Sequence, residues 1–186
     1  LQYITKHPLH LDLELSSFCN LKCEMCWQSG DMTVPKSHMD FDLYKKIIDQ
    51  GIRDGLCSIK LQSRGESVLY PKLIDAIRYA SDARVLDIQL TTNSTLLDQT
   101  VSTFDLVTAG LTKLIFSYDY AHIKSYKQLY KRDPNIKARI NKAIAIRDKY
   151  NKDLKIRVQT FVDNPDQREE QMHKIKHLFP KIGRAH

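Results

Sequence analysis

The chain has 186 residues and a mass of 21.6 kDa, the size of one domain at roughly 100 to 200 residues per domain. With 42% hydrophobic and 27% charged residues and a mean hydropathy of −0.43, it has neither the composition of a disordered chain nor an apolar run near the roughly 18 residues that a membrane span requires. The formal charge of +7 is spread over many segments and describes a solvated basic surface rather than a nucleic-acid footprint. Leu1 to His10 contain no apolar signal-peptide stretch, so a cytoplasmic, reducing location with no membrane partner is expected.

Short β-rich runs alternate with helical patterns, which predicts an α/β protein with a parallel sheet and right-handed crossovers. In chain order, a strand at His10 to Leu15 precedes a helix at Asp40 to Gln50, and a strand at Cys57 to Gln62 precedes one at Pro71 to Ala80. Val85 to Thr91 is followed by Asp98 to Thr108, Lys113 to Tyr118 by Asn135 to Tyr150, and Leu154 to Val162 by Pro165 to Leu178. Asp40 suits an N-cap and Pro71 a first helical turn. The six glycines form neither a G-x-G-x-x-G nor a P-loop motif.

Strands covered by helices on both faces read as continuous apolar runs, but these alternate. Leu11, Leu13 and Leu15 oppose Asp12 and Glu14, and Ile59 and Leu61 oppose Ser58, Lys60 and Gln62. Leu86, Ile88 and Leu90 oppose Asp87, Gln89, Thr91 and Asn93, and Ile156 and Val158 oppose Arg157 and Gln159. Five crossover helices on one face require the sheet to curl, which places the polar face inside. The expected architecture is a (β/α) partial TIM barrel with a polar lumen and its chemistry at the C-terminal strand ends.

Directly after the first strand, Cys19, Cys23 and Cys26 form a C-x3-C-x2-C triplet that holds three of the four cysteines. In a reducing setting such clustering signals metal or redox work. Three thiolates leave one metal position unfilled, which favours an iron–sulfur cluster over structural zinc, for which neither His38 nor Cys57 completes a familiar spacing. Cys57 is expected to be a small buried hydrophobe, and His173 and His177 to lie on a solvated helix face.

The triplet after the first barrel strand resembles the signature of the radical S-adenosylmethionine (radical SAM) superfamily. The resemblance implies a [4Fe-4S] cluster on Cys19, Cys23 and Cys26, with S-adenosyl-L-methionine (SAM) on the fourth iron. Reductive cleavage of SAM would then yield a 5'-deoxyadenosyl radical that abstracts hydrogen from substrate, fed by a reductant such as a ferredoxin or flavodoxin.

Further segments resemble the family's elements. Gly65-Glu66 is similar to its GGE or GEP element, implying a contact with the SAM amino group. Thr92-Asn93-Ser94 resembles TNG, which places Asn93 near SAM or substrate, and Ser117-Tyr118-Asp119 resembles S-x-D, which places Ser117 and Asp119 at the ribose. The resemblance also implies that Met25, Val158 and Gln159 border adenine. Met25 stands where family members often carry an aromatic residue, Ser67 replaces a frequent proline, and Ser94 replaces glycine.

The tyrosines at 118, 120, 126 and 130 are expected over the barrel mouth. Lys60 and Arg157 are candidates for an acid of SAM or substrate, or for pairing with Asp12, Glu14 or Asp87. The motif order looks most like the branch that includes peptide-modifying maturases, so a peptide is one implied substrate class. The rival readings are an iron–sulfur electron-transfer protein and a zinc-stabilised nucleic-acid-binding module. The five units counted, where the family builds six, and the opening Leu1 make residues 1–186 an expected truncated core domain.

Overall fold

The computed structural model describes residues 8–23, 26, 28, 35–118, 135–160 and 165–182. Five strands, β1 (His10–Asp12), β2 (Ser58–Leu61), β3 (Asp87–Thr92), β4 (Lys113–Ser117) and β5 (Lys155–Gln159), form one sheet in the order β1-β2-β3-β4-β5 with every pairing parallel. The described helices are α1 (Phe41–Arg53), α2 (Leu73–Asp82), α3 (Thr103–Thr108), α4 (Ile136–Tyr150) and α5 (Arg168–Leu178).

The period-two pattern explains the layering. Ile59, Leu61, Ile88, Leu90, Leu114, Phe116, Ile156 and Val158 join residues of all five helices in one apolar core. Helices therefore cover one face, and the other face carries the polar side chains. Tyr44 and Ile48 fix α1 on this core, and burying a side chain of that size contributes about 1.5–3 kcal/mol.

Several element ends differ from the sequence expectation. The first strand stops at Asp12, because beyond Leu13 the chain leaves β2. Leu15 accepts from Met39 N (2.9 Å) and Ser16 bridges antiparallel to His38. Asp40 does cap α1, its carboxylate accepting from Leu43 N at 2.8 Å. Pro71 lies in a turn ahead of α2 rather than in its first turn. Residues 98–102 are not helical, because Asp98 takes a positive φ of 61°, donates its N–H to Val101 O and accepts from Thr103 N at 3.0 Å, so that Ser102 becomes the N-cap. Leu86 is 75% exposed in the turn before β3, not on its apolar face.

At the N-terminal ends of the strands the polar face closes on itself. Asp87 accepts from Thr112 Oγ1 (2.5 Å), Gln89 Nε2 (2.5 Å) and Ser58 Oγ (3.1 Å), and Ser58 Oγ meets His10 Nδ1 at 2.8 Å. Burial pushes the Asp87 carboxyl up, but these hydrogen bonds and the Lys113 charge outweigh it and hold the group below the usual carboxylate range.

Candidate functional site

The cysteine loop starts at the C-terminal end of the β1 segment and is clamped from two sides. On one side Ser17 N donates to Ser37 O (3.0 Å), Ser37 N donates to Ser17 Oγ (2.8 Å), and Lys36 Nζ donates to Ser17 O (3.0 Å). On the other, Glu66 N donates to Phe18 O at 2.8 Å, while a Cβ on Gly65 would lie 1.8 Å from Ser16 O and 2.8 Å from Phe18 O. Only glycine permits that approach. Gln28 adds a strap, donating to Ser17 O (3.0 Å) and Arg64 O (2.5 Å).

Cys19, Cys23 and Cys26 are all partly exposed. Cys26 N donates to Cys23 O at 2.9 Å, and Leu21 N to Cys19 Sγ at 3.5 Å. Burial pushes the Cys19 thiol up; the Leu21 N–H opposes it, the Glu66 and Cys26 charges add to it, and Lys36 offsets part. Among the described residues no three Cys, His, Asp or Glu side chains converge on one ion. A cubane cluster makes a different demand, for thiolates spread over separate irons, and three thiols on one clamped, open loop fit that donor set. Cys57 is exposed, not buried, and its thiol donates to Gly55 O (3.2 Å) ahead of β2, at the opposite end of the strands.

Glu66 is 4% exposed and joins the β2 and β3 loops, its carboxylate accepting from Asn93 N (2.8 Å) and Val68 N (3.3 Å). Burial pushes its carboxyl up more than the hydrogen bonds from Asn93, Thr92 and Val68 pull it down. Asn93 carries the link onward, as its Nδ2 donates to Asn20 Oδ1 (3.0 Å) and its Oδ1 accepts from Thr95 N (3.0 Å) and Thr95 Oγ1 (2.6 Å). Asn20, between the first two cysteines, closes the ring by donating to Thr95 Oγ1 at 2.8 Å.

Ser94, in the place of the family's glycine, takes φ 61°, the left-handed conformation that glycine tolerates best. Sequence reading missed Asn20, whose only signal is polarity beside the recognised motifs, and took in Thr95 only as part of the TNG-like segment. It also missed the partner of Glu14, which is Arg64 in a fork at 2.7 and 3.0 Å reinforced by Arg64 N at 2.9 Å. Lys60 and Arg157 have no such pairing among the described residues.

Ser117 and Gln159 are paired neighbours at the ends of β4 and β5. Val158 packs into the apolar core, so only its backbone borders the polar side. Tyr118 is buried edge-to-face against Phe179, with centroids 5.3 Å apart, rather than over the mouth. Met25, Asp119 and the tyrosines at 120, 126 and 130 lie outside the described residues. His173 and His177 are exposed.

The family model described as "Radical SAM superfamily" matches residues 13–179. The chain belongs to the radical SAM superfamily. It is 33% identical over 133 residues to a probable GTP 3',8-cyclase of Methanococcus vannielii, covering 71% of this chain and 44% of that relative. The chain thus spans less than half of that relative's length.

Among solved structures, Streptococcus suis SuiB bound to precursor peptide SuiA superposes with TM-score 0.69 at 15% identity, covering 92% of this chain and 36% of that one. BtrN in complex with AdoMet and 2-DOIA gives TM-score 0.62 at 18% identity, covering 87% and 60%. These likenesses agree with the open parallel sheet of a partial TIM barrel. Radical SAM proteins are enzymes that use a [4Fe-4S] cluster, SAM and an electron donor. Among the described residues no helix is long and apolar enough to cross a membrane.

Proposed function

We propose that this chain is the core of a radical SAM enzyme in which Cys19, Cys23 and Cys26 hold the [4Fe-4S] cluster. The observation that carries the reading is the clamped loop, which carries three part-exposed thiols and is held against Gly65 and Glu66 through Ser16 and Phe18. When bound, cluster and SAM supply reductive cleavage to methionine and a 5'-deoxyadenosyl radical that takes hydrogen from substrate.

The chain's own residues bind and orient. Gly65 keeps the β2 loop against the cysteine loop, and Glu66 offers the SAM ammonium a carboxylate. An ionised carboxylate has about four lone-pair sites, so the two backbone N–H groups and the Thr92 hydroxyl leave room for a cation. Asn93 spaces the β3 loop from the cysteine loop, while Ser117, Gln159, the Val158 backbone, Asp119 and Met25 are assigned to the nucleoside part of SAM. The electron donor is assigned to the ferredoxin or flavodoxin class, and the location to the cytoplasm. For the substrate, the sequence relative's name supports a phosphorylated small molecule, whereas the peptide class has only a fold likeness at 15% identity behind it.

Anaerobic reconstitution with iron and sulfide, followed by dithionite and SAM, tests the reading. Formation of 5'-deoxyadenosine with the wild type and no cluster in Cys23→Ala is expected. A fully loaded cluster that yields no 5'-deoxyadenosine would overturn it, as would a colourless protein holding one zinc.

A further inference from the structure

The parallel register aligns Asp12, Lys60, Gln89, Lys113 and Lys155 in one row across the polar face, with Thr91, Ile115 and Arg157 in the row above. The acids near this row are already engaged. Asp12 meets His10 Nε2 at 3.4 Å, Glu14 is held by Arg64, and Asp87 takes three side-chain donors at the closed end. Lys113 acts on Asp87 through its charge alone. Among the described residues Lys60, Lys113, Lys155 and Arg157 make no ion pair, so the face keeps an excess of positive charge.

A second observation lies between this row and the strand ends. Thr91 Oγ1 is buried and has no hydrogen-bond partner among the described residues, although buried hydroxyls are normally satisfied. Beside it Ile115 is 3% exposed yet stands on the polar face, outside the apolar core. A donor without an acceptor, next to unneutralised cations, fits an anionic oxygen.

We infer that the polar face holds the anionic tail of the substrate on Lys60, Lys113 and Arg157, with Thr91 Oγ1 donating to it. The inference rests on the proposed radical SAM function and adds the substrate's charge and pose. From the level of Lys113 to that of Ser117 is four strand steps, roughly 13 Å. A small molecule of that length, its phosphate or carboxylate groups on the cation row, presents its other end beside the loops assigned to SAM.

The test is isothermal titration of the reconstituted full chain with inorganic pyrophosphate and, separately, with citrate. Binding of one or both is expected, weakened about tenfold or more in Lys60→Gln, Lys113→Gln and Arg157→Gln, a loss typical of a removed charge-assisted contact. Thr91→Val is expected to weaken it several-fold, and Lys45→Gln, on α1, to leave it unchanged. Binding of pyrophosphate alone identifies a phosphorylated tail, and of citrate alone a carboxylate tail. Equal binding by wild type and the three charge variants, or no binding of either anion below ~10 mM, overturns the inference. The two readings fail separately, because 5'-deoxyadenosine formation reports on SAM chemistry and the titration reports on the anion site alone.

Discussion

Gly65 and Ser16 approach so closely that a single methyl group on Gly65 would sit 1.8 Å from the Ser16 carbonyl oxygen. That contact presses the β2 loop onto the strand leading to the cysteines, and backbone on both sides leaves nothing flexible to yield. Gly65→Ala is therefore expected to cost about 3 kcal/mol or more, the upper end for overpacking, and to lower iron bound per chain after reconstitution. Urea unfolding and iron analysis check both. Wild-type stability and loading in the variant would show that the approach is not required.

At Ser94 the sign is reversed. Its φ of 61° costs a non-glycine residue about 1–2 kcal/mol, partly offset by the hydrogen bond from Ser94 Oγ to Asn93 O at 2.6 Å. Ser94→Gly should raise stability by up to about 1 kcal/mol, whereas Ser94→Val, β-branched in a left-handed conformation, should lower it. Thermal unfolding of the two variants decides the order.

The Asn20–Asn93–Thr95 ring ties the cysteine loop to the β3 loop. Asn20→Ala should cost about 1 kcal/mol in global stability, the usual net value of a hydrogen bond. Its larger effect is expected on how long the cluster survives a chelator challenge, because the loop between Cys19 and Cys23 loses its side anchor. An unchanged survival time would remove Asn20 from the positioning residues.

Glu14 supplies a pH signature. Burial raises its carboxyl, but the hydrogen bonds from Arg64 and Ser63 and the Arg64 charge outweigh that and leave it below its ordinary value. A carboxylate depressed in the folded state stabilises fully above its unfolded pKa, and that share is lost as pH falls through the folded one. Stability measured by urea unfolding should therefore drop on acidification, and Glu14→Gln should be less stable at neutral pH with a shallower acid limb. Parallel acid limbs would contradict the assignment.

Cys57→Ala should leave iron and sulfide content unchanged, since the residue is exposed at the far end of the strands from the cysteine loop. Loss of cluster in this variant would contradict that placement.

The succession of short strands and helices was enough to read five parallel strands, and the alternation of Ile59 and Leu61 with Lys60, and of Ile156 and Val158 with Arg157, to place the helices on one face, because period two survives whatever surrounds it. The cysteine triplet was legible because its spacing is specific. What escaped depends on contacts remote in sequence. β1 ends early because Leu15 and Ser16 pair with Met39 and His38, some twenty residues on. The α3 segment begins late because Asp98 bonds back to Thr103, a choice that helical propensity does not record. Glu66 reads as a ligand residue in a motif, but only the fold reveals that it also holds Asn93 N.

The hydrogen-bonded layer of His10, Ser58, Asp87 and Thr112 lies roughly 16 Å along β3 from Thr92, five strand steps away. Sites so far apart, with no shared partner, contribute additively to stability. The barrel thus has a foundation that does not depend on what its mouth is built to do, and substitutions that retune the mouth for a different reactant draw on a stability reserve lodged elsewhere. A fold divided in this way can change its chemistry in small steps without losing its shape.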